Sequence, residues 1–274
     1  MTSKTLNINN KNGVSYITFP KFEKSGMVNL LFSTRIGGVS KGKYSSMNLS
    51  FNNGDERKDV LENYRRLCEC KGIDINNLVL SRQTHTSNIK TVSKADCGTG
   101  IFKQSFTDID GLVTNQSGVA LVTQYADCTP LVFLDPVNKV IASSHAGWRG
   151  TVAEIGKKTV RKMVSEFSSN PKDIIVGIGP CIKECCYEVD DPVYSQFGKL
   201  TYLDSSKIFT QKPNGKYMLN LVEANKQILM SAGIRPENFD LSDICTCCNS
   251  DMLHSHRKTN GERGNLAMII ELKQ

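Results

Sequence analysis

Four strand-like runs crowd the stretch between residues 110 and 145: DGLVTN (110 to 115), GVALVTQY (118 to 125), PLVFLD (130 to 135) and KVIASSH (139 to 145). Gly, Asn and Pro bound several of them, as such residues commonly bound strands. Two more runs stand upstream, VSYITF (14 to 19) and VNLLFST (28 to 34). Helical spacing is clearest over 151 to 167, where Val152, Ile155, Thr159, Val160, Met163, Val164 and Phe167 recur at three- and four-residue intervals ahead of Pro171. Further helices are predicted at 56 to 71, closed by Gly72, and at 217 to 232, closed by Gly233. Clustered strands with helices set apart from them fit an α+β fold better than a regularly alternating doubly wound one. No repeat, low-complexity tract or Pro- or Ser-rich linker divides the chain, which therefore reads as one domain over 1 to 274.

The 39% hydrophobic residues supply material for a sizeable core. No window approaches the roughly 18 apolar residues of a membrane span, and the start, MTSKTLNINNKNG, lacks the apolar segment of a signal peptide, which predicts a soluble cytoplasmic protein with no membrane partner. The net charge of +7 is spread without an arm, a dense patch or a recognition motif, so no nucleic-acid partner is expected and the bias is toward phosphate or carboxylate ligands. Ten Cys in such a chain stay reduced, which turns attention to metal and nucleophile chemistry. Only four His, at 85, 145, 254 and 256, are available to share in it.

In KVIASSHAGWRGTVAEIGKKTV a β-run delivers His145 at its carboxyl end. A Gly-bearing turn and Arg149 follow, and a helix beginning near Thr151 would aim unpaired N–H groups back at that turn, a natural place for an anion. Alone, His145 reads equally as a hydrogen-bonded structural residue. QYADCTPLVFLD sets Cys128 between an apolar strand and Pro130, at an abrupt change of direction, as a nucleophile, a metal ligand or a buried small hydrophobe. LSRQTHTSNI offers Gln83 and His85. Two imidazoles and one thiolate with the fourth position open form an acceptable catalytic zinc set if the fold unites them. A competing local cluster is CTCCNSDMLHSHRK, where C-x-x-C (Cys245, Cys248, with Cys247 between) precedes His254 and His256. This resembles a closed structural site, but five residues between Cys248 and His254 are fewer than most fingers allow. The alternative is a reduced turn with His256 and Arg257 lining a pocket.

FSTRIGGVSKGKYSSMNLS (32 to 50), QTH (83 to 85), DGLVT (110 to 114), ADCTPLVFLDP (126 to 136), HAGWRGT (145 to 151), IGPCIKECCYEV (178 to 189) and CTCCNSDMLHSHRK (245 to 258) occur in one order. Together they resemble the family once called laccase-domain or multicopper polyphenol oxidases. Its members are now described as purine nucleoside phosphorylases with adenosine deaminase activity, one bacterial branch as a peptidoglycan editing factor. The resemblance covers essentially the whole chain. It implies mixed sheets packed between helices in α/β/β/α layers, like certain cysteine-dependent deamidating toxins, and zinc held by His85, Cys128 and His145. It also implies pocket residues at Arg35, Gln83, Asp110, Arg149, Cys185, Cys186, Tyr187, His256 and Arg257. The chain departs from the family pattern at Asn52, Lys183-Glu184, His254 and Asn265, which bear on pocket shape.

The resulting expectation is a zinc-dependent purine nucleoside phosphorylase acting with phosphate on adenosine, inosine and S-methyl-5′-thioadenosine, with adenosine deaminase activity. Arg149 and the helix start would cradle the anion, Arg35 would add a cation, and Asp110 or Asp127 would carry the proton. A second expectation makes Cys128 the nucleophile and His145 the base of a hydrolase editing peptidoglycan precursors. A third is a copper-binding polyphenol oxidase, since two His and one Cys also suit copper, which would compete with zinc. Multicopper chemistry needs a trinuclear cluster with more imidazoles than the sequence has left. Outside enzymes, the alternative is a zinc-storing or redox-sensing protein.

Overall fold

The computed structural model describes residues 1–273. The six expected strands form at Val14–Thr18, Val28–Ser33, Gly111–Thr114, Ala120–Tyr125, Thr129–Asp135 and Val140–Ala146. They are shared between two mixed sheets. The seven-stranded sheet runs in the order Asn7–Lys11, Val14–Thr18, Val28–Ser33, Leu266–Leu272, Ala120–Tyr125, Leu78–Arg82 and Phe106–Thr107. The six-stranded sheet runs Phe239–Leu241, Ile175–Ile178, Thr129–Asp135, Val140–Ala146, Gly111–Thr114 and Ile89–Thr91.

Strand alternation explains the layering. In Leu266–Leu272, Leu266, Met268, Ile270 and Leu272 face the second sheet, while Ala267 and Ile269 face a helix layer. In Thr129–Asp135, Val132 and Leu134 join the inter-sheet core, and Leu131 and Phe133 point the other way. Every residue of both strands is buried, so both faces must be covered. Helix Arg57–Glu69 covers the first sheet through Val60, Tyr64, Leu67 and Cys68, spaced to form one apolar stripe. Helices Ile155–Phe167 and Leu221–Ser231 cover the second with Ile155, Val160, Met163 and Leu229. The result is the α/β/β/α sandwich expected.

Two helices differ from their sequence reading. The helix expected over 151 to 167 is two, Trp148–Val152 and Ile155–Phe167, because Glu154 turns left-handed (φ 57°) and anchors its carboxylate on Lys157 and Tyr202. The helix expected from 217 starts at Leu221, where Asn220 caps it by accepting from the Glu223 N–H (2.9 Å). Residues Tyr217–Leu219 are instead the middle strand of a three-stranded sheet, with Tyr217 stacked on Tyr194 at 4.1 Å.

Candidate active site

The chain passes from one sheet to the other through residues 126 to 128, between strands Ala120–Tyr125 and Thr129–Asp135. So short a crossing forces Asp127 into the left-handed region (φ 82°). That conformation is held from both sides. Its carbonyl accepts from Ile182 N–H (2.9 Å), and its carboxylate from Thr246 Oγ1 (2.6 Å) and Arg257 N–H (2.7 Å). Cys128 thus sits at a fixed place beside the ends of strands Leu78–Arg82 and Val140–Ala146, which deliver His85 and His145.

One buried carboxylate organises the two imidazoles. Asp110, fully buried, accepts from the backbone N–H groups of Thr84 (3.2 Å), His85 (3.1 Å) and Thr86 (2.8 Å), from Thr86 Oγ1 (2.8 Å) and from His145 Nδ1 (2.8 Å). Burial alone would raise its carboxyl, yet His145 and the Thr86 donors hold it below the ordinary value. His145 therefore has its Nδ1 committed, which leaves Nε2 for chemistry. His85, itself left-handed (φ 65°), places Nε2 3.7 Å from Cys128 Sγ. The donor atoms of His85, Cys128 and His145 all lie within 4.8 Å of one another. A Cβ on Gly147 would come 2.8 Å from His85 Cδ2 and 3.0 Å from Cys128 Sγ, so the glycine keeps this space clear.

Burial opposes charge on both Cys128 and His145, but each stabilises the other. The His145 and His85 imidazoles pull the Cys128 thiol down to about 6, and the thiolate with Asp110 pushes His145 up to about 9. Without a metal the two shifts favour a thiolate beside an imidazolium. With one, a soft thiolate and two imidazoles, one oriented by a carboxylate, form a donor set that fits zinc or copper and leaves the cavity side open.

Above the triad lies a cavity of about 570 Å³ whose walls carry Arg82, Arg149, Arg257, Arg263, Gln83, Tyr187 and His256. Arg149 stacks on Trp148 (4.3 Å) and, among the described residues, its guanidinium makes no hydrogen bond or ion pair. The expected helix start near Thr151 lies at Trp148 instead, and at five residues this helix is too short to offer an N-terminal anion site, which leaves the guanidinium groups as the cationic feature of the cavity. Gln83 lines the cavity but its amide is spent on the Gln124 backbone, donating to the carbonyl (2.9 Å) and accepting from the N–H (2.7 Å). Arg257 donates to the Cys186 (3.2 Å) and Glu188 (3.1 Å) carbonyls and so ties the wall together.

Four expected site residues, Arg35, Cys185, Cys186 and Asp110, lie outside the cavity lining. Arg35 is outside the cavity, donating to the Ser45 (2.8 Å) and Ser250 (2.7 Å) carbonyls, which makes it a loop tie. Cys185 and Cys186 are also outside, in a cluster with Cys245 and Cys248. Asp110 is behind the imidazoles, with its oxygens committed to five donors, and touches the cavity only through His85 and His145. Sequence reasoning missed Arg82, Arg263 and Trp148. Arg82 abuts QTH at a strand end and was accessible; Arg263, in the loop before strand Leu266–Leu272, belongs to no motif.

Fold and site together define an enzyme of the α/β/β/α class with a Cys-His-His centre under a cationic cavity. Residues 29–273 match the family described as multi-copper polyphenol oxidoreductase laccase, and the chain belongs to it. Purine nucleoside phosphorylase YlmD of Bacillus subtilis is 34% identical over 245 residues, covering 89% of this chain and 88% of that protein. YlmD of Geobacillus stearothermophilus is 36% identical over 240 residues (87% and 88%). Its crystal structure superposes with a TM-score of 0.92 at 33% identity, covering 98% of this chain and 99% of that one. Adenosine deaminase RL5, from an unknown prokaryotic organism, is 32% identical over 230 residues (83% and 87%).

Proposed function

We propose that this protein is a zinc-dependent purine nucleoside phosphorylase, acting with inorganic phosphate on adenosine, inosine and S-methyl-5′-thioadenosine, that also deaminates adenosine. The observation that carries this reading is the pre-oriented His85, Cys128 and His145 donor set opening onto a cavity with four guanidinium groups. The names of the relatives, phosphorylase and deaminase, support it. His85, Cys128 and His145 would hold the zinc, which would supply Lewis acidity beside the cavity they line. Copper competes for the same donors.

In phosphorolysis, a phosphate oxygen bonds to the ribose C1′ as the C1′–N9 bond breaks and its electron pair passes to the purine, which takes up a proton. Arg149 holds the phosphate with its uncommitted guanidinium, and Tyr187 packs against the nucleoside. In deamination, water adds at C6 and ammonia leaves. Asp127, the acidic residue of the cavity lining, is assigned to move the proton although its oxygens also accept from Thr246 Oγ1 and the Arg257 N–H, while Asp110 keeps His145 in one tautomer. The enzyme works in the cytoplasm, where its ten free cysteines remain reduced. Among the described residues, no helix is long and apolar enough to cross a membrane.

A second reading is favoured by the depressed Cys128 thiol beside His145: a nucleophile and base that hydrolyse an amide in peptidoglycan precursors. Metal-loaded protein is incubated with adenosine, with and without phosphate, and the products separated. Adenine and ribose 1-phosphate should require phosphate, and inosine should not. Chelation should stop both and zinc restore them. Full turnover by metal-free protein, with rapid alkylation of Cys128, replaces the zinc reading by the hydrolase; no nucleoside turnover by loaded protein sinks it.

A further inference from the structure

A second cluster of metal-ligating side chains lies outside the cavity. Cys185 and Cys186 follow strand Ile175–Ile178, and Cys245 and Cys248 follow strand Phe239–Leu241, its parallel neighbour in the sheet. The four sulfurs all lie within 4.8 Å of one another, with Cys185 and Cys186 Sγ 3.5 and 3.3 Å from Cys248 Sγ. We propose that these four cysteines hold a zinc ion in a closed tetrathiolate site, distinct from the His85, Cys128 and His145 centre.

Geometry distinguishes this from the other things four cysteines do. Four sulfurs each about 2.3 Å from a tetrahedral ion stand roughly 3.8 Å apart, the spacing class found here. A disulfide would need about 2.05 Å. An iron–sulfur cubane binds its thiolates on separate irons and spreads them further than a mononuclear ion does. The backbone is arranged to match. Cys245 forms a β-bridge with Cys181, Thr246 N–H donates to the Cys181 carbonyl (3.0 Å), and Lys183 N–H points at Cys245 Sγ (3.5 Å). An amide directed at sulfur is a typical outer partner of a metal-bound thiolate. Asn249 closes the turn from the other side, its side chain donating to the Cys245 carbonyl (2.9 Å).

None of the four cysteines lines the cavity, so no position is offered to substrate, and the site is structural. Its place gives it a role. One loop continues to Tyr187 and the other to His256 and Arg257, all on the cavity wall. The ion would clamp these loops together, beside the bond from Arg257 to the Cys186 carbonyl. Cys247, in the same run, is outside the set, and so are the His254 and His256 that local spacing had associated with it.

The test is metal analysis of protein purified in reducing buffer with zinc, without reference to turnover. Wild type should hold two zinc ions per chain, Cys128→Ser one, Cys248→Ser one, the double variant none, and Cys247→Ser two. Cobalt-loaded Cys128→Ser should keep intense thiolate-to-metal charge-transfer absorption that Cys185→Ser weakens. Should a cysteine variant fail to fold, peptide-mapped alkylation of wild type decides. Cys185 and Cys248, though exposed, should resist iodoacetamide until chelator is added. Immediate labelling of both, a disulfide between Cys186 and Cys248, or unchanged zinc content in Cys248→Ser would overturn the proposal. A folded Cys128→Ser variant that holds no zinc at all would leave only the first centre and equally overturn it.

Discussion

Asp110→Asn separates a positioning carboxylate from a catalytic one. The wild-type carboxylate accepts five hydrogen bonds, from Thr84, His85 and Thr86 N–H, Thr86 Oγ1 and His145 Nδ1. An amide keeps one acceptor oxygen and turns an NH₂ group toward N–H donors that then have no partner. Hydrogen bonds to charged groups are worth about 1.5–3 kcal/mol each, and a buried unsatisfied donor costs about 1–3 kcal/mol, so a net loss of about 3 kcal/mol is expected. For a chain of this length that lowers Tm by roughly 5–8 °C. Zinc affinity should fall about 10- to 100-fold, the usual effect of removing a partner that orients a ligating imidazole.

The pH dependence has a definite sign. The Asp110 carboxyl is held below its ordinary value in the folded state, so its stabilisation is complete above the unfolded carboxyl value and is lost as pH falls through the folded one. The gap between wild type and Asp110→Asn should therefore be widest from about pH 5 to 6.5, close in stronger acid, and narrow again as pH rises toward the His145 value of about 9, where the imidazolium that Asp110 stabilises loses its proton. Calorimetry at several pH values, zinc competition and adenosine turnover at rising free zinc measure the three effects. A positioning role requires that excess zinc restore most of kcat. If the variant keeps its Tm and zinc affinity within about twofold yet turns nothing over, Asp110 carries a proton in the reaction and the reasoning fails.

Metal-free protein should be alkylated at Cys128 with a half-maximal rate near pH 6, because thiolate accumulates as pH rises through that value, while buried Cys181, pushed up to about 12, stays unlabelled. A midpoint near the ordinary thiol value would show that His145 does not activate it, and zinc should suppress labelling. Arg149→Ala should raise the KM for phosphate about tenfold or more and change stability by less than about 1 kcal/mol, since its side chain stacks on Trp148 and, among the described residues, has no bonded partner. An unchanged phosphate KM would remove Arg149 from anion binding. Gly147→Ala adds a Cβ that backbone dihedrals there (φ −66°) tolerate but that meets His85 and Cys128 at 2.8 and 3.0 Å. It should lose zinc from the triad; stoichiometric zinc at that centre would mean the space is not used by the ion.

The sheet-forming runs were legible because buried β-branched and apolar stretches between turn residues have few other fates. Their pairing was not. Strand Leu266–Leu272 lies at the centre of the first sheet although it comes last in sequence, and no local pattern reports a partner some 140 residues away, such as Ala120–Tyr125. The helix break at Glu154 was equally hidden, since Val152 and Ile155 keep helical spacing across it while a tertiary contact with Tyr202 fixes the left-handed residue. Resemblance supplied His85, Cys128 and His145 together, whereas residue chemistry alone left each ambiguous. The C-terminal cysteines show the limit of spacing. C-x-x-C at Cys245 and Cys248 suggested nearby His254 and His256 as partners, but the structure supplies Cys185 and Cys186 from the neighbouring loop. His254 is instead buried, and burial with Arg35 and Arg263 beside it pushes the imidazole down to about 3.

Charge is what most distinguishes the competing activities. The net +7 is scattered over the surface, yet four guanidiniums, from Arg82, Arg149, Arg257 and Arg263, converge on one cavity. The acidic residue among its lining is Asp127, whose carboxylate already accepts from Thr246 and Arg257. A cavity so biased stabilises an anion that enters with the substrate, as phosphate does in phosphorolysis, far more than it helps a neutral amide. Oxidase chemistry meets a different obstacle. After His85 and His145 are used, only His256, on the cavity wall, and the buried His254 remain, which is too few imidazoles for a trinuclear copper cluster. The proposed reading, a thiophilic ion beneath a cavity lined by four guanidinium groups, requires a phosphate dependence that survives in Arg35→Ala but weakens in Arg149→Ala.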